Sequence, residues 1–277
     1  SLFTKDDGTD SQNHLFDMQC LWYERESGDA YIRKNNNGRA LKRFTATEKV
    51  VVISSNVLIS TSISWTLLRI NLIFIATVFL ISVPVFFQAP LVRMFPWVSL
   101  AMTGLWLWIS LKMLANPLTR LWGDLLFGFS WSWLTGSIYW GWLRSEPLLH
   151  LPVEAIGVPF ALWCLCRNWG KIGNWFYLGS LFGTAVTDGY FYITGLIPYW
   201  RKLMTVEAEM AVSIFQSASS RVFTNWGVTW IVVLVGVLLI VGIFPLRSRQ
   251  LHWWAFGGAV LSTILVDSLF FLAACVA

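Results

Sequence analysis

Charge is what this chain has least of. Charged side chains are 13% of 277 residues and hydrophobic ones 56%, against about 25% charged in a soluble domain, which excludes an ordinary water-soluble fold. Histidine is scarce as well: His14, His150 and His252 are too few and too scattered for a zinc-ligand spacing. No Ser/His/Asp order suggests an activated nucleophile. Of the four cysteines, Cys164 and Cys166 are two apart, so on a helix they diverge by about 200° and form no redox or metal pair; Cys20 and Cys275 stand alone. The expectation is a chain without catalytic residues, metal or cofactor, and not an enzyme. Although the formal charge is +5, the twelve Lys/Arg from Leu67 onward lie between apolar runs and make no contiguous patch, which excludes a nucleic-acid face.

Long apolar runs are what remain. From Leu121 to Arg201 three of them follow one another, fenced by charges, and the full set of expected helices is 71–89, 98–115, 123–143, 151–167, 174–197, 226–245 and 253–276. Each matches a hydrocarbon layer about 30 Å thick. The chain therefore reads as all-α, a polytopic transmembrane helix bundle of about seven spans whose first partner is the lipid bilayer. Many of the 18 Trp sit near span ends, among them Trp97, Trp122, Trp140, Trp175, Trp200, Trp226 and Trp254, as an interfacial belt requires. Pro84, Pro90 and Pro96 crowd the end of the first span and the turn after it. Pro159 alone lies well inside a span and is expected to kink it and free a carbonyl near Ala155.

Two domains are expected: a polar, disordered or peripheral extension over 1–66 and a transmembrane domain over 67–277. Within the extension, Val50–Trp65 is apolar but broken by serines and Asn56, an extra span only if lipid accepts those polar groups. Counting Lys and Arg from Arg33 onward gives thirteen on the side of the N-terminus against five on the other, so the N-terminus is expected in the cytoplasm and the C-terminus outside or in a lumen. In the longest loop, Leu203, Val206, Met210 and Ile214 recur at helical spacing, the pattern of a segment resting on the outer interface.

Chemistry points to two acids. Set side by side, Trp175–Phe191 and Trp254–Phe270 match in register: Gly179/Gly183 beside Gly258/Ser262, Thr184/Asp188 beside Thr263/Asp267. The spans run parallel, so both carboxylates lie at similar depth, where an acid needs a partner or a purpose. They are candidates to hold a proton, an ion or an amine-bearing solute, with Thr184, Thr263 and Tyr192, one turn past Asp188, as bonding groups. The competing reading makes the same Asp residues helix-packing glue, and Gly179, Gly183, Gly258 and Ser262 are read as packing residues in either case. Asp124 and Glu154 stand near expected helix starts, where a carboxylate caps free N–H groups. His150 is one turn from Glu154, and a lone interfacial histidine is more often simply solvated.

Three strings, Val83–Leu100, Thr119–Trp163 and Gly173–Pro198, resemble a cyanobacterial integral-membrane family of unknown function. The resemblance runs from about Arg69 to the C-terminus and implies a plasma or thylakoid membrane, without bringing an activity, ligand or catalytic residue. Two functions follow as expectations: a small-solute or ion transport or binding protein using the paired carboxylates, or a non-catalytic assembly or scaffold factor for photosynthetic membrane complexes. The second would dock another membrane protein or a second copy of the chain.

Overall fold

In a computed structural model, the backbone is described over residues 46–206 and 208–276, and side chains over 67–206 and 210–272. The expectations for a polar tail, for Cys20 and His14, and for the side chains of an extra span at 50–66 lie outside the described residues. Two compact units divide the chain, Ser1–Ile63 and Ser64–Ala277. The second is built of helices joined by turns, with no strand among its described residues: α1 (Ala46–Met94, which begins in the first unit), α2 (Pro96–Ala115), α3 (Arg120–Ile138), α4 (His150–Glu154), α5 (Val158–Cys166), α6 (Lys171–Ile193), α7 (Ile197–Thr205), α8 (Ala208–Val222), α9 (Asn225–Ile243) and α10 (Leu251–Val276).

Five segments are long and apolar enough to cross a membrane: Leu67–Met94, Pro96–Ala115, Pro147–Cys166, Asn225–Arg247 and Leu251–Leu272. The remaining two long helices, α3 and α6, fall short because they carry Gly, Ser, Thr and charged residues, and that composition follows from their position. They pack against each other, α3 also against α2 and α6 against α10. Ten of the 19 residues of α3 are buried, mostly small or aromatic. Between helices in lipid there is no gain in exchanging one apolar surface for another, so close backbone approach through small residues is what holds them. At the α3/α6 crossing a Cβ on Gly128 would lie 1.9 Å from the Gly173 carbonyl oxygen, so only glycine fits. Phe129, Trp133 and Phe176 fill the core on either side of that crossing with Ile73, Leu125, Ala255 and Ala259.

The prolines depart from expectation. Pro84 and Pro90 do not end the first span but lie inside α1, which runs on to Met94; a transmembrane helix tolerates the missing N–H when neighbouring groups re-satisfy the backbone. Pro96 instead sits in the first turn of α2, where its N–H is not needed. At Pro159 the kink becomes a break: α4 and α5 are separated by a 3-10 turn at Ala155–Gly157. Tyr177 of α6 plugs the gap, its hydroxyl donating to the Glu154 carbonyl and accepting from the Gly157 N–H, the latter at 3.1 Å. The freed carbonyl is thus that of Glu154, one residue from the expected position.

The interfacial stripe in the long loop is cut in two. Val206 is extended and separates α7 from α8, so Leu203 and Met210 belong to different helices.

Candidate functional site

Helices α3 and α6 run parallel, and their termini mark the two ends of the bundle. At the end where they begin, Asp124 of α3 accepts the backbone N–H groups of Ile172 and Gly173 at 3.0 and 2.9 Å. It caps a helix, as expected, but the capped helix is α6 rather than its own. This bond fixes the register of the two helices and so determines what meets at the opposite end.

There α3 finishes in a π-helical turn, Tyr139–Leu143, which widens the helix by one residue and turns Tyr139 inward. The Tyr139 ring lies on the imidazole of His150, centroids 4.2 Å apart at 32°. Asp188, near the end of α6, reaches the same ring: His150 Nδ1 is 2.9 Å from Oδ1 and 3.0 Å from Oδ2. His150 Nε2 faces Glu154 Oε1 at 3.3 Å, one turn along α4. Exposure is 7% for His150 and 3% for Asp188. Each ring nitrogen meets a carboxylate, so each contact needs one proton, and a doubly protonated ring between two carboxylates supplies both. With the proton arrangement of a doubly protonated ring, the cluster carries one positive and two negative groups, a net charge that an added proton or a small cation would neutralise.

Aromatic rings close the site. Trp200 of α7 presents its edge to His150 at 5.6 Å and stacks on Trp140 at 5.8 Å and 8°. Its indole N–H donates to the Arg144 carbonyl at 3.0 Å. Next to it Arg201 donates to Glu146 at 2.6 Å, an ion pair at the surface whose side chains are 46% and 40% exposed. The Arg201 hydrogen bond and charge hold the Glu146 carboxyl below its ordinary range. The Tyr139 hydroxyl is buried without a hydrogen-bond partner among the described residues.

The paired acids take different bonding partners. Asp188 bonds His150, whereas Asp267 accepts from Thr187 Oγ1 at 2.7 Å across the α6/α10 contact; no described hydrogen bond joins the two carboxylates. Thr187, not Thr184 or Thr263, is the hydroxyl used. Thr184 is half-buried, and Thr263 packs on Gly183, where a Cβ would lie 1.9 Å from its Oγ1. Tyr192 is 44% exposed, and the partner that Asp188 takes is His150 instead. Gly179 packs on Phe256 and Ala259, and Gly258 on Phe74 and Thr77 of α1; the Ser262 hydroxyl donates to the Gly258 carbonyl of its own helix at 2.6 Å. His150 is the group that the sequence left out of the site. Its spacing from Glu154 was the only local sign, since Asp188 is 38 residues away. Among the described residues no group of three or more His, Cys, Asp or Glu has the placement of a metal site.

Comparison with known proteins divides the chain in two. Residues 77–275 match the family described as "Protein of unknown function (DUF3120)". Residues 1–54 match a different one, "N-terminal acetyltransferase A, auxiliary subunit". Among curated proteins, the N-terminal acetyltransferase A complex auxiliary subunit NAA15 of Arabidopsis thaliana is 56% identical over 48 residues, which are 17% of this chain and 5% of that protein. The chain thus covers a small fraction of the curated relative that it matches. No solved structure matches.

Proposed function

We propose, for a chain that belongs to the DUF3120 family, that it is a polytopic, non-enzymatic membrane protein that binds or transports a small solute or ion through a protonatable centre made by His150, Asp188 and Glu154. The observation that carries this reading is the buried imidazole held between two carboxylates. Ionisable groups at membrane depth are costly and are retained where they serve an ion or proton path. A broken span beside the site, α4–α5, is the kind of interruption by which transport proteins turn backbone and side chains toward a ligand, here near the end of the span.

The topology is read as seven spans, with α3 and α6 crossing alongside the five more apolar segments. At 23 residues α6 is long enough, about 35 Å at the helical rise, and its polar groups are turned to neighbours instead of lipid. The balance of basic residues then puts the N-terminus in the cytoplasm and the His150 end outside or in a lumen. The membrane is read as a plasma or thylakoid membrane.

The exchanging groups in this reading are Asp188 with His150 and Glu154, and Asp267 with Thr187 serves as a second, half-buried acid on the neighbouring helix contact. The test is flux. Purified full-length protein in liposomes containing a pH-sensitive dye is given an inward gradient of sodium, potassium or methylammonium. The reading expects at least one of these to move protons and Asp188→Asn to stop it while the protein still melts cooperatively. Equal flux in wild type, Asp188→Asn and empty liposomes for every cation would overturn it and favour the scaffold function.

A further inference from the structure

Among the described residues, the short helix α7 covers the His150 centre on its loop side. Helix α7 is nine residues long and is joined to α6 through Gly195, whose φ of +71° lies in the left-handed region. A Cβ there would meet no atom within 4 Å, so that glycine is kept for backbone freedom, not for packing. At its other end Val206 is extended. Irregular backbone on both sides is the arrangement that absorbs the dihedral changes of a hinged element.

What holds α7 down is specific and limited. Trp200 packs with Tyr139, Val153 and Phe191 in one buried cluster and covers the imidazole edge-on. Its N–H is tied to the Arg144 carbonyl, and Arg201 is tied to Glu146 at the surface. An exposed ion pair is weak and readily exchanged for water, so the outermost fastening is also the easiest to undo.

We propose that α7 is a gate over the His150 site, with Trp200 as its plug and the Arg201–Glu146 pair as its latch, and that it admits compact cations in preference to anions. This rests on the site exchanging with the aqueous phase, as the reading above has it. Cation preference follows from the count of groups beneath the plug: Asp188 and Glu154 against one imidazole. Once the indole moves aside, an arriving cation meets two carboxylates and the Trp140 face on which Trp200 was stacked, and an anion meets repulsion.

The experiment places a thiol under the plug. Val153→Cys is a near-isosteric change at a buried position in the Trp200 cluster. Its reaction with cationic and anionic methanethiosulfonate reagents is followed by peptide mass spectrometry in detergent-solubilised full-length protein, with the exposed Cys166 as internal reference. The expected rate at the introduced thiol is low in the single variant and rises about twofold to fivefold with Arg201→Gln, which removes only the exposed latch. It rises roughly tenfold or more with Trp200→Ala, which removes the plug. Trp200→Phe keeps the rate low, and wherever the site is open the cationic reagent reacts faster than the anionic one.

Rates at the introduced thiol that do not move in either opened variant, with Cys166 reacting normally and the melting transition intact, would overturn the gate. Faster reaction of the anionic reagent would overturn the cation preference. Labelling reads access alone, so a protein that opens as described but moves no protons in liposomes would contradict the functional reading and not the gate.

Discussion

Replacing Gly128 by alanine tests whether the α3/α6 crossing sets the geometry of the site. The added methyl would lie 1.9 Å from the Gly173 carbonyl oxygen, where ordinary contacts begin at 3.4 Å, so the helices must part by about 1.5 Å in an interior that does not yield. Overpacking of this kind costs about 1–3 kcal/mol. The same movement stretches the two hydrogen bonds from Ile172 and Gly173 to Asp124, which adds about 1–2 kcal/mol for a charge-assisted pair weakened but not lost. A total of about 2–5 kcal/mol corresponds to a fall in melting temperature of roughly 5–20 °C for a domain of this size. The matched control is Gly104→Ala in α2, where a Cβ meets nothing within 4 Å; it is expected to be neutral or to stabilise by about 0.5–1 kcal/mol, since alanine is the better helix former. Both are read by thermal unfolding in lipid nanodiscs. A Gly128→Ala protein that melts within 2 °C or so of the control would refute the close crossing.

Tyr177→Phe leaves the Glu154 carbonyl and the Gly157 N–H without the hydroxyl that now bridges them, and thermal unfolding is expected to show a loss of about 2–4 kcal/mol. Thr187→Val removes the donor to Asp267 and is expected to weaken the α6/α10 contact by about 1 kcal/mol, checked in the same assay, with Thr184→Val as a milder comparison. The Arg201–Glu146 pair has a defined pH window: the lowered Glu146 carboxyl means that its contribution is complete above the ordinary value of 4.5 and is lost as the pH falls through the lowered one. Gate opening, measured as labelling of the introduced thiol relative to Cys166 so that the shared loss of thiolate cancels, should therefore rise on acidification through that window and become flat in Arg201→Gln. Deleting residues 1–47, a stretch with no spanning apolar face, is expected to leave membrane insertion unchanged, checked by carbonate extraction and immunoblotting.

Periodicity and length made the helical class legible, and most ends of the helices fall within a few residues of the boundaries read from apolar runs. Proline rules misled at Pro84 and Pro90, because they weigh a lost hydrogen bond as it counts in a soluble helix. The α6/α10 contact was visible in part: Gly179 and Gly183 do face α10, at Phe256, Ala259 and Thr263, and Thr187 meets Asp267, whereas Gly258 packs on α1. What the sequence did not show is which face of α6 meets which neighbour. Asp188 lies one residue beyond Thr187 and so turns about 100° away from α10, toward α4 and His150. Nothing local signals that rotation. It is fixed by the α3/α6 glycine crossing and by Asp124, both long-range contacts. Tyr192 was offered as the partner of Asp188 because a one-turn spacing is all that a single helix can reveal.

The central claim is that His150, Asp188 and Glu154 form one shared protonatable unit. The most direct measurement is solid-state NMR of the full-length protein in lipid with nitrogen-labelled histidine, the His150 resonances assigned by their loss in His150→Gln. The structure leads to two protonated ring nitrogens at neutral pH and a change to one when Asp188→Asn removes the carboxylate at Nδ1. A neutral ring with a single N–H in the wild type, unaltered by Asp188→Asn, would contradict the account.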